Sequence, residues 1–90
     1  MNTEVKPTLP CIHMNGTAAS DLLEGYRNAM EKVQDAREAL GKIEFNMRDY
    51  YPIEGSWDKA QSEMQERYQA LDKIHAELEA IAIHCCDHVK

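Results

Sequence analysis

"LLEGYRNAMEKVQDAREALGKIEFNM", residues 22–47, decides the fold. Its apolar positions run Leu22, Tyr26, Ala29, Val33, Ala36, Leu40, Ile43, Met47, in steps of four and three without a slip. That spacing lays them along one stripe of an α-helix, the heptad seam on which a second helix packs. Leu23 and Met30 widen the stripe. Gly25 and Gly41 interrupt it, and each weakens a helix by about 1 kcal/mol relative to Ala. Their predicted use is to let a neighbouring backbone come close. Upstream, Thr17 is the predicted N-cap, with Ser20 and Asp21 in the first turn, and Asn15-Gly16 supplies the turn that leads in. Downstream, Pro52 disfavours helical geometry at Tyr51 and stops the helix.

The pattern then repeats. Trp57, Ala60, Met64, Arg67, Leu71, Ile74, Leu78, Ile81, Cys85 and His88 again follow steps of three and four, flanked by Tyr68, His75, Ala82 and Val89. Arg67 is the discordant member. Ser56 is the predicted cap, with Asp58 in the first turn.

The predicted organisation is an extended arm at 1–16 and a helical hairpin over 17–90. Within it one helix spans about 17–49, a connection about 50–56, and a second helix about 57–88. The fold class is all-α, a long antiparallel helical hairpin with helices of roughly 45 Å, joined too tightly to lie apart. A lone pair of helices leaves much apolar surface wet. Trp57, Tyr68, Leu23, Met30 and Ile83 look surplus to one seam. The chain is therefore predicted to assemble into a homo-oligomeric helix bundle, at least a dimer.

Composition sets limits on function. The chain has 90 residues and a formal net charge of −6. Direct binding of DNA or RNA requires a basic face and is not expected. No apolar run reaches the ~20 residues that span a bilayer, and no secretory signal is read, so no membrane association is predicted. Cys11, Cys85 and Cys86 are an odd number, two of them adjacent. They read as thiols of a reducing compartment, and the predicted location is cytoplasmic.

Two clusters could carry chemistry. An antiparallel hairpin would bring Cys11 and His13 near the end of the second helix. There His84 and His88, at i and i+4, share a face as two metal ligands on a helix must. These four residues form a candidate zinc site. The competing reading makes Cys85 a small buried hydrophobe and the histidines terminal and solvated. No cofactor is otherwise expected. The second cluster is "RDYYP", residues 48–52. Arg48 could hold an anionic group while Tyr50 or Tyr51 stacks on a planar one. Head-to-tail packing of two hairpins would set this end against His13, Asn15, Gly16 and Thr17 of another copy, making an inter-subunit pocket for a small nucleotide-like ligand. Packing at the connection and an ordinary helix start are the competing readings. The chain contains no Gly-rich phosphate loop, no HExxH and no GxSxG. It is read as non-enzymatic.

"HMNGT", the "DLLEGY" helix, "RDYYP" and "ERYQAL…LEAIAIH" together resemble a group of small helical-hairpin proteins of tailed phages and prophages. The resemblance spans most of the chain after the arm. It implies an accessory binding protein acting inside a bacterial host cell, with host defence as the preferred target. The chain would either sequester a small nucleotide-like ligand at a subunit interface or inhibit a host protein complex such as a CRISPR effector. A structural zinc-stapled bundle is the third expectation.

Overall fold

The computed structural model describes residues 6–89. Two long helices, α1 (Ala19–Gly41) and α2 (Ser56–Cys86), pack on each other, with a single 3₁₀ turn (Met47–Asp49) between them. No strand occurs among the described residues. The expected all-helical hairpin is present, and α2 runs over Ser56–Cys86 where a helix over about 57–88 was expected. Residues 1–5 of the expected arm and Lys90 lie outside the described residues.

The first helix is shorter than the heptad pattern implies. It begins at Ala19 with Ala18 at the cap position, and Thr17 makes no capping bond. Ala18 is extended, and its carbonyl accepts from the Asp21 and Leu22 amides, both at 3.1 Å. The helix ends at Gly41 rather than near residue 49. There the Lys42 amide donates to Ala39 and the Ile43 amide to Leu40, so the helix closes in tightened three-residue turns. Ile43 and Met47, the last two seam positions, consequently lie off the helix and are mostly exposed.

An aromatic cluster accounts for this early stop. Phe45, four residues past Gly41, lies 4.9 Å from the Trp57 ring and 5.7 Å from that of Tyr50, and Tyr50 lies 5.6 Å from Trp57. Offset and edge-on ring pairs of this kind contribute about 0.5–1.5 kcal/mol each beyond the area they bury. Extending α1 through Phe45, past a weak glycine position, would cost both ring contacts that Phe45 makes.

The connection is built with two specific devices. Gly55 has φ of +77°, the left-handed region, where an L side chain is strained by about 1–2 kcal/mol. It stands at the N-cap of α2 in place of the predicted Ser56. Ser56 is instead the first helical residue, and its hydroxyl donates to the Tyr50 carbonyl at 2.7 Å, tying the connection to the helix.

Along α2 the contact line keeps Ala60, Met64, Leu71, Leu78 and Cys85 of the predicted seam and is rotated only in part, by one residue at the positions between them. Tyr68, His75 and Ala82 turn inward where Arg67, Ile74 and Ile81 were expected to lead. Arg67 is exposed and Ile74 is 43% exposed. The rotation lets α2 meet α1 at two fixed points. Arg37 Nε donates to Asp72 at 2.7 Å and its guanidinium lies 4.9 Å from the Tyr68 ring centre. A Cβ on Gly41 would stand 3.3 Å from the Tyr68 hydroxyl, so this glycine does admit a close neighbour, although a side chain rather than a backbone.

The lone hairpin has almost no interior. Its only buried apolar residues are Ala19, Ala60, Ala82 and Cys85 among those described. Every larger seam residue is at best half-buried. The chain exposes 7162 Å², against about 5,400 Å² for a compact monomer of this mass. Its radius of gyration is 18.2 Å, against about 12 Å for a globular chain of this length.

Candidate functional sites

At the connection end, Arg48 sits on the 3₁₀ turn with its side chain exposed. Tyr51 is 71% exposed. Tyr50 does not join them, because its ring is packed edge-on against Phe45 and tilted against Trp57. The predicted stacking pair is therefore split, with one tyrosine structural and one facing out. Asn46, Met47 and Arg48 line a surface hollow of about 420 Å³. The Oδ1 atom of Asn46 is itself buried and without a hydrogen-bond partner. An acceptor so placed normally has one.

At the opposite end, residues 13–16 form a tight turn closed by the Gly16 amide donating to the His13 carbonyl at 3.1 Å. Neither Asn15 nor Gly16 has a positive φ, which fits a type I turn with Gly in the last position. The His13 ring folds over this turn, so that a Cβ at Gly16 would stand 2.9 Å from His13 Nε2. His13, Asn15, Gly16 and Thr17 are all exposed. The 23 residues of α1, about 35 Å, separate them from Arg48 and Tyr51. Within one chain the two halves of the predicted pocket do not meet.

The arm does return to the end of α2, as antiparallel packing requires. His84 Nε2–H donates to the Pro10 carbonyl at 2.7 Å, and His88 Nδ1–H donates to the His84 carbonyl at 2.9 Å. The two rings stand 4.7 Å apart. A carbonyl only accepts, so these bonds fix which nitrogen of each ring carries the proton. His84 Nδ1 and His88 Nε2 are left as the acceptor nitrogens, so these bonds alone do not decide for or against a ligand role. Cys11 is exposed. Among the described residues no three His, Cys, Asp or Glu side chains gather to hold a metal ion. Cys11, His13, His84 and His88 thus occupy one end of the molecule without forming a ligand set, and Cys85 is the small buried hydrophobe, with no exposed surface.

A third feature escaped the sequence reading. Asp21, Leu22, Gly25, Tyr26 and Ala29 of α1 and Leu78 of α2 line an apolar hollow of about 330 Å³ along one flank of the hairpin. Periodicity marks these residues as apolar but does not say which of them the partner helix leaves uncovered. No helix among the described residues is long and apolar enough to cross a membrane. Comparison with protein-family models, with curated proteins and with solved structures finds no match to this chain.

Proposed function

We propose that the protein is a non-enzymatic binding protein that works as an assembly of its own copies, inside a bacterial cell and directed at a component of host defence. The observation that carries the assembly is the absence of a core: among the described residues nothing larger than Cys85 is buried in the lone hairpin. A 90-residue chain so poorly filled gains its stability where copies meet. Arg48, Tyr51 and the acidic outer faces stay exposed and available to a target protein. The setting in host defence rests on the resemblance to small phage proteins alone.

Native mass spectrometry of untagged protein tests this directly, since subunit number, bound metal and bound small molecule appear in one spectrum. The expected particle is an even-numbered assembly without metal. A monomer that persists at micromolar concentration would overturn the reading.

The hollow at Asn46, Met47 and Arg48 favours a second reading. A nucleotide-like anion held by Arg48 at this hollow, with the exposed Tyr51 nearby in sequence stacking on a planar group, would use side chains the fold leaves exposed. Such a ligand must raise the melting temperature, because it binds only the folded state. Unchanged melting across a nucleotide panel would dispose of it.

A further inference from the structure

We infer that Asn15 is a site of spontaneous deamidation, with the His13 imidazole taking up the proton that the reaction sets free. In an Asn-Gly pair the following backbone nitrogen reaches the side-chain carbonyl carbon most freely, because glycine puts no side chain in the way. Asn15 is exposed, and its side chain makes no hydrogen bond among the described residues. The atoms nearest to a Cβ placed on Gly16 all belong to the His13 ring, with Nε2 at 2.9 Å. That ring makes no hydrogen bond among the described residues either. In the tautomer protonated at Nδ1, its Nε2 lone pair is therefore free to accept. Imidazole is the side chain best suited to carry a proton near neutral pH.

The reaction needs only water. The Gly16 amide first lets go of the His13 carbonyl, which it holds at 3.1 Å. Its nitrogen then attacks Asn15 Cγ, and the amide proton passes to His13 Nε2 as the N–Cγ bond forms. The Cγ–Nδ2 bond breaks. His13 returns the proton to the departing nitrogen, which leaves as ammonia. Water opens the remaining cyclic imide at either carbonyl, giving an aspartyl or an isoaspartyl linkage at position 15.

The fold singles out this asparagine. Asn28 lies inside α1, where the next amide, that of Ala29, is held in the helical hydrogen-bond ladder. Asn46 is half-buried at the start of the 3₁₀ turn and is followed by Met47. Among the described residues only Asn15 combines exposure, a glycine neighbour and a free imidazole beside that glycine. The product carboxylate lies just ahead of α1, whose N-cap residue Ala18 supplies no side-chain bond. Negative charge is favoured there by the helix dipole. An isoaspartyl linkage also lengthens the main chain within the 13–16 turn, so the bond from Gly16 to His13 is lost. The modification thus remodels the junction of arm and helix and leaves the seam between the helices intact.

Incubation of the untagged full chain at neutral pH, followed by peptide mapping and enzymatic methyl-labelling of isoaspartate, tests the site. The expected result is conversion at Asn15 while Asn28 and Asn46 stay intact. His13→Ala should slow that conversion about tenfold at equal helicity, and free imidazole in the buffer should restore it. Restoration separates proton transfer from a merely structural part in the turn. If H13A loses helicity, His13→Gln is read in its place. An Asn15 that stays intact in the folded chain yet converts in urea would show that the closed turn shields it, and overturns the site. Conversion at the wild-type rate in H13A, or a slow rate that imidazole does not restore, overturns the part assigned to His13.

Discussion

Arg37 shows how a single residue sets the relation of the two helices. It falls in line with the apolar stripe of α1, yet it is charged and exposed. Its guanidinium spans two donors to Asp72, at 2.7 and 3.4 Å, while its flat face covers the Tyr68 ring. The Asp72 hydrogen bond first, and then its charge, hold the guanidinium above its usual range. Raised in the folded state, that group contributes fully at every pH below the ordinary arginine titration and loses its contribution only above it. The contribution is therefore flat across the neutral range. Both partners are about half exposed, so the pair is worth little in energy and more in register. A double-mutant cycle of Arg37→Ala and Asp72→Ala in urea should give a small favourable coupling that shrinks at about 1 M salt, where charges are screened beyond ~3 Å. Arg37→Lys should recover only part of the coupling, because lysine lacks the fork and the planar face. Full recovery by lysine would show that charge alone sets the register.

Among the elements, the connection departs furthest from its predicted form. Trp57, Phe45 and Tyr50 make the only ring cluster of the described connection, and they hold it without a fully buried residue. Trp57→Ala should cost about 2 kcal/mol in urea melts, below the ~3–5 kcal/mol of a fully buried aromatic. Tyr51→Ala, at a mostly exposed neighbour of Tyr50, should stay within ~0.5 kcal/mol. Equal effects at the two sites would mean that the cluster does not anchor the connection. The same contrast shows what the sequence could reveal. The heptad steps from Leu22 to Leu40 and from Trp57 to Cys85, with Pro52 between them, were enough for two helices and a hairpin. They could not reveal that Phe45 would leave the helix, since ring packing across the connection is a tertiary contact with no local period. Nor could they separate Tyr68 from Arg67 as the inward residue, because neighbours in sequence differ by only 100° on the helix. Of the candidate site, Arg48 and Tyr51 were legible as exposed groups at a helix break. Tyr50 was not, because its role depends on Phe45 and Trp57.

At the scale of the whole molecule, the thiols report on how the hairpin holds together. Cys85 has no exposed surface, whereas Cys11 and Cys86 are open to solvent. A thiol reagent needs contact with sulfur, so Cys85 reacts only when the end of α2 parts from what covers it. Two thiols should therefore modify quickly in native buffer, and the third at a rate set by opening. In a self-sufficient hairpin that opening is a property of one chain, and the slow rate is indifferent to protein concentration. Where copies stabilise one another, opening must first overcome association, and the slow phase should lengthen as the protein is concentrated. A titration of the slow phase over a hundredfold range of concentration separates the two cases. Urea at its unfolding concentration should make all three thiols react at one rate. A slow phase that stays constant over that range would show that the few small residues buried between α1 and α2 hold the chain folded unaided, and that association adds nothing to its stability.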